Sequence, residues 1–153
     1  YEGDYNQGER TGEGIFKYAN GDLYTGHFNE GERVGQGTFV WANGDRYEGM
    51  WKNDLLNGHG KLTKKSGDVF EGTFVNGKID GEVIIHYANG TRFKGTYRNG
   101  MRNGKCIEET KDGKRFEGNY VNDMRDGRFV EKDANGQVTC TGHYESGRRF
   151  NDN

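Results

Sequence analysis

The chain repeats itself every 23 residues, and that period constrains the fold before any local propensity is weighed. From Tyr1 it reads YEGDYNQGERTGEGIFKYANGDL, from Tyr24 YTGHFNEGERVGQGTFVWANGDR, and from Tyr47 YEGMWKNDLLNGHGKLTKKSGDV. Further copies start at Phe70, Phe93 and Phe116, and a seventh begins at Cys140 and stops partway. The array therefore divides as 1–23, 24–46, 47–69, 70–92, 93–115 and 116–139, the last with one extra residue, followed by the partial copy 140–153. Position 3 of the copy is glycine in every case, from Gly3 to Gly142, and position 5 is always aromatic, from Tyr5 to Tyr144.

Within a copy, positions 1, 3 and 5 alternate apolar or glycine residues with polar ones, and positions 14, 16 and 18 do the same. A period of two predicts strands. Between these strands the sequence predicts a glycine-bearing loop ending at position 12, as at Gly12, Gly35 and Gly58. Between copies stands Asn-Gly or a near relative, as at Asn20-Gly21, Asn43-Gly44 and Asn89-Gly90, which predicts a tight turn. Each copy is then a β-hairpin. A lone hairpin is marginal in water, so the copies must stack and share stability with their neighbours. The expected fold is all-β, an elongated single-layer antiparallel meander of six hairpins and one last, open strand from Cys140 to Tyr144. At about 4.8 Å per strand it would extend roughly 60 Å.

Composition removes the alternatives. Only 30% of the 153 residues are hydrophobic, yet the net charge is −2 and 13% are aromatic, far too many rings for a solvating tail. There are 27 glycines and no proline, which excludes collagen-like and proline-rich chains. No run of 18 apolar residues is present. Two cysteines, Cys106 and Cys140, do not make a disulfide framework and fit a reducing compartment, and a regular meander holds them too far apart to bond. The near-neutral balance argues against nucleic acid.

The glycines at position 3, with Gly14, Gly37 and Gly60 on the same face, leave bare backbone on which neighbouring rings can lie flat. The aromatic stripe is the core of the sheet or a ligand groove, and its sameness in every copy favours core.

The pattern Y-x-G-x-[FYW], G-x-G and [YF]-x-[ND]-G at 23-residue spacing resembles the MORN repeat, named for membrane occupation and recognition nexus, over the whole chain. Similar repeats occur in junctional membrane proteins, lipid kinases, a lysine methyltransferase, ciliary spoke proteins and cytoskeletal scaffolds. A chain of repeats alone is most similar to the repeat-only scaffold proteins of protist cytoskeletons, which implies self-association, cytoskeletal partners and a cytoplasmic, cytoskeleton-associated location near the plasma membrane.

Catalytic residues and cofactors are not expected, because the polar residues recur with the period as structural positions do. The four histidines read as exposed side chains. Cys140-x-x-His143 has the spacing of metal ligands, but an odd separation in a regular strand puts the two on opposite faces. Zinc would need a bulge from the extra residue before Cys140, and a second chain to complete four ligands.

Two departures from the repeat carry information. From Arg92 to Arg115 stand eight basic residues against three acidic ones. Of these, Arg92, Lys94, Arg98, Lys105 and Arg115 are candidates to hold anionic phospholipid headgroups weakly, each worth about 1 kcal/mol near an anionic leaflet, against the alternative of a solvated face. The aromatic face also decays, position 16 running Phe16, Phe39, Leu62, Ile85, Glu108, Glu131. Charge on the core face of the last copies implies a polar cap or a partner surface. For a C-terminal homodimer the candidates are Glu108, Arg125, Arg128, Phe129, Glu131, Cys140, Tyr144, Arg148 and Phe150, with Arg149 as a further partner for the two acids.

Three roles remain open: a non-enzymatic scaffold, a phosphoinositide-binding membrane adaptor, and a targeting arm of a larger enzyme. A first copy regular from Tyr1, against a polar last one, leads us to expect the C-terminal part of a longer array.

Overall fold

The computed structural model describes residues 1–152, built of strands, turns and bends, with no helix among the described residues. It contains two compact units, Tyr1–Lys78 and Ile79–Asn153. The first holds β1 (Glu2–Asn6), β2 (Glu9–Lys17), β3 (Leu23–Asn29), β4 (Glu32–Val40), β5 (Arg46–Lys52), β6 (Leu55–Thr63) and β7 (Val69–Val75), each antiparallel to the next. The second holds β8 (Lys78–His86), β9 (Arg92–Arg98), β10 (Met101–Arg102), β11 (Gly104–Glu109), β12 (Arg115–Val121), β13 (Met124–Arg125), β14 (Gly127–Lys132), β15 (Val138–Glu145) and β16 (Arg148–Asn151), likewise antiparallel, with β10 and β13 as short stubs on β9 and β12. The predicted hairpin meander is present in both.

Three local expectations are corrected. The turn inside each copy falls at positions 7 and 8. There Asn53 and Asp54 take φ of 48° and 67°, and Asn122 and Asp123 take 47° and 70°. Two successive positive φ values make the tight turn that matches strand twist, so the second strand begins at position 9. The position-12 glycines therefore lie inside strands. At Gly35, φ 66°, β4 spends Val34 to Gln36 where β3 spends His27 alone, a bulge that needs a left-handed residue. The link between copies is a wider turn, in which the Tyr18 N–H donates to the Asp22 carbonyl at 2.9 Å and Gly21 alone is left-handed, at φ 98°. Finally, Cys140–Tyr144 is not the open edge. The partial copy completes its hairpin, and β16 covers β15 through Gly142↔Asn151 to Glu145↔Arg148.

Register explains the core of the first unit. Gly3, Gly14, Gly26, Gly37, Gly49, Gly60 and Gly72 face one another strand by strand in a single row. The position-1 rings Tyr1, Tyr24 and Tyr47 lie on that bare backbone. A Cβ built at Gly37 would stand 2.6 Å from the Tyr24 ring, and at Gly60 2.5 Å from that of Tyr47. The same tyrosines donate to the His27 and Met50 carbonyls, each at 2.9 Å, which pins the rings flat. Tyr24 and Tyr47 are fully buried on one face, with Phe28, Phe39, Trp51 and Phe74 beside them. Burial of that size is worth about 2–3 kcal/mol per ring. The aromatic stripe is thus the core.

In the second unit the glycine row is filled at alternate strands. Val83 faces Gly95, Cys106 faces Gly118, and Phe129 faces Gly142. Phe93, Phe116 and Phe129 lie over the remaining glycines.

Candidate interaction surface

Arginine roofs the aromatic face, a feature the sequence reading passed over. Position 10 is Arg10, Arg33, Arg102, Arg125 and Arg149 in five copies, and Leu56 and Ile79 in the other two. Each of the first four reaches the position-5 ring of the following copy: Arg10 to Phe28 at 5.2 Å, Arg33 to Trp51 at 4.7 Å, Arg102 to Tyr120 at 4.4 Å and Arg125 to Tyr144 at 5.6 Å. In three of the four the guanidinium also reaches position 8 of that copy. Arg10 donates to the Gly31 carbonyl at 2.7 Å, Arg33 bonds Asp54 at 2.9 Å, and Arg102 bonds Asp123 at 2.7 Å. Cation–ring attraction and a charge-assisted bond thus join each such copy to the next. The signal was available as period-23 arginine, but charge was read as surface.

In the last copies the acids of the core face are answered within the chain. Arg125 pairs with Glu108, whose other oxygen accepts from the Tyr120 hydroxyl at 2.7 Å, while the guanidinium lies 3.8 Å from the Phe116 ring centroid and bonds Tyr144 at 3.1 Å. Arg149 pairs with Glu131, lies 4.6 Å from the Phe129 centroid and donates to Cys140 Sγ at 3.4 Å. These acids need no second chain. Phe129 is corrected as a surface candidate: at 1% exposure it belongs to the core, and Tyr144 is buried beside it. Arg128 forks onto Asp152 at 2.9 and 3.0 Å, and that bond with the Thr141 hydroxyl holds the Asp152 carboxyl down at about 2. What the C-terminal edge shows to solvent is Arg148, which lies 5.3 Å over Phe150, and Phe150 stacked at 5.1 Å on His143.

The bulge from the extra residue falls between Lys132↔Val138 and Glu131↔Cys140, before Cys140, and the register from Cys140 to His143 is regular. The two side chains therefore point to opposite faces. Among the described residues no three His, Cys, Asp or Glu side chains are grouped for a metal.

On the outer face Arg92, Lys94, Arg98 and Lys105 are exposed, and among the described residues none of them has a carboxylate partner. Arg115 differs: its Nε lies 3.3 Å from Glu117, which also takes Lys132 at 3.1 Å. Four of the five proposed basic residues thus form one free patch on β9 and β11.

Both cysteines are free thiols. Burial, with the Glu108 charge adding to it, pushes the Cys106 thiol up to about 11. A raised thiol stabilises the fold fully below the ordinary value near 8.5, and that contribution is lost as pH climbs through about 11. At pH 8 a thiol-reactive dye should titrate one fast equivalent, at half-buried Cys140, and reach Cys106 at least a hundredfold more slowly until denaturant is added. Two prompt equivalents would contradict this.

A model of the MORN repeat family matches residues 1–23, 24–46, 47–69, 70–92, 93–115 and 116–138. No curated protein matches the chain. Among solved structures it is similar to the TCP domain of SAS-4 (dCPAP) from Drosophila melanogaster, solved with a proline-rich motif of Ana2 (dSTIL), at a TM-score of 0.52 and 14% identity over 92% of this chain and 83% of that one. The TCP10c domain of Drosophila melanogaster Sas-4 gives 0.48 and 16% over 88% and 93%. At such identities the likeness is one of fold.

Proposed function

The chain belongs to the MORN repeat family, its matched copies filling residues 1–138, and from that premise we propose that it is a non-enzymatic scaffold that self-associates and presents its repeats to other proteins in a cytoplasmic, cytoskeletal assembly. The observation that carries this is the recurring bond from position 10 of one copy to positions 5 and 8 of the next. It spends the position-10 arginines on joining one copy to the next and leaves the outer side of the sheet for partners. The fold is shared with a domain solved with a proline-rich motif of another protein, which agrees with a role in binding proteins.

The surface we propose for self-association is β16, the last strand in the order, with Arg148 and Phe150 on its outer face. Two such edges meet antiparallel across a two-fold axis. Light scattering at about 100 μM should return a particle of two chains, and Arg148→Asp with Phe150→Asp should return one chain with unchanged circular dichroism. A wild-type monomer, or a variant that stays dimeric, would remove the interface from β16. Weak binding of anionic lipid through Arg92, Lys94, Arg98 and Lys105 is a second reading, favoured by the absence of carboxylate partners for these four among the described residues.

A further inference from the structure

Methionine stands at position 9 of two hairpins in the second unit and of none in the first. Across each hairpin the side chains at positions 6 and 9 face each other on the outer side of the sheet. In the first unit three of these pairs are Asn6 with Glu9, Asn29 with Glu32, and Lys52 with Leu55. In the second they are Arg98 with Met101, Val121 with Met124, and Glu145 with Arg148. Met101, Val121 and Met124 are exposed at 37, 43 and 48%. Val121 and Met124 face each other across one hairpin and Met101 stands at the equivalent position of the preceding one, with Met124 Sδ 3.7 Å from the Cβ position of Gly147 in the next turn. Leu55 and Val75 of the first unit are exposed likewise, at 44 and 45%. What sets Met101, Val121 and Met124 apart is that they share a unit with cations that have no carboxylate partner among the described residues, and exposed apolar side chains at successive hairpin ends call for a cover. Methionine suits that task because its flexible thioether fits many apolar shapes.

Charge says what the cover is. Beside this row stand Lys94, opposite Ile107, and Lys105, opposite Asn119, with Arg98 at the end of the same strand. None has a carboxylate partner among the described residues, whereas Arg102, on the opposite side of the sheet, is taken by Asp123. Carboxylates are interleaved at Glu82, Glu109 and Glu117, so a uniformly charged polyanion would be repelled along part of its path.

Building on the scaffold reading, we infer that the outer edge of the second unit, Met101, Val121 and Met124 beside Lys94, Arg98 and Lys105, docks an acidic segment of a partner protein that carries apolar side chains between its carboxylates. The cations select charge and speed encounter, and the methionines hold the bound segment.

The test selects 12-residue peptides from a random displayed library on the intact chain. Enriched sequences should be net negative with at least two large apolar residues. Synthetic copies should lose at least tenfold in affinity to Met101→Ser with Met124→Ser, and a similar factor to Arg98→Ser with Lys105→Ser, while circular dichroism stays unchanged. Phosphatidylserine vesicles should bind no more than tenfold better to the wild type than to the methionine variant. Peptides indifferent to the methionine pair, a selection that enriches nothing, or vesicle binding that depends on both pairs overturns the proposal. Enriched peptides that bind elsewhere on the chain sink this site and leave the scaffold reading standing. A monomeric chain that still binds acidic peptides here sinks self-association and leaves the site.

Discussion

Gly37→Ala is expected to destabilise the first unit by about 2–4 kcal/mol, an unusual cost for one methyl group. That group has nowhere to go: it would stand 2.6 Å from the Tyr24 ring, and nearer still to its hydroxyl, in a side chain that is fully buried. Overpacking a tight core costs about 1–3 kcal/mol, and tilting the ring to escape breaks its bond to the His27 carbonyl, worth about 1 kcal/mol more. Gly8→Ala, in the same unit, is the control. Nothing lies within 4 Å of its Cβ position, and its φ of 82° should cost only about 1 kcal/mol. Both tryptophans, Trp41 and Trp51, lie in the first unit, so urea titration followed by their fluorescence reports on it directly. Adding Tyr24→Leu to Gly37→Ala should cost less than the two single changes summed, because the clash is then gone. Equal costs at residues 37 and 8 would mean that the ring does not rest on bare backbone.

Arg125→Met is expected to cost about 3 kcal/mol in the second unit. The change strips the counter-charge from Glu108, whose side chain is 16% exposed, and removes the cation from the Phe116 and Tyr144 rings. Leaving one partner of a shielded ion pair alone is worse than removing both. Glu108→Gln with Arg125→Met should therefore be more stable than Arg125→Met by about 1–2 kcal/mol in urea unfolding followed by circular dichroism. A loss under about 1 kcal/mol, or no recovery in the double variant, would assign Glu108 to solvent or to another partner.

The copy length, the hairpin, the position-5 rings and the glycine face were all legible, because each is a pattern with the period of one strand or one copy. The turn was placed wrongly for a specific reason. Asn-Gly at residues 20–21 outshone Gln7-Gly8 and Glu30-Gly31, yet it is the second set that takes two left-handed residues in succession. Glu30 does so at φ 50° without being a strong turn former, since strand pairing on both sides dictates the geometry. The cis pair of Glu108 and Arg125 was out of reach for another reason. These residues are 17 apart and meet only once the register across β11, β12 and β13 is known. Until then an acid on a core face reads as a vacancy for a second chain. Cys140 and His143 went the other way, because strand alternation alone separates them.

The arginine at position 10 has a consequence for how such a chain can change in length. It addresses the following copy by position and not by identity: Arg10 meets Phe28 and Gly31 as Arg33 meets Trp51 and Asp54. Excising residues 24–46 would bring Arg10 before Trp51 and Asp54, a pairing the chain already uses one copy later. Where position 10 is arginine, loss or duplication of a whole copy thus leaves it a workable partner, while a length change inside one copy is felt only there, as the extra residue before Cys140 is taken up in a single bulge.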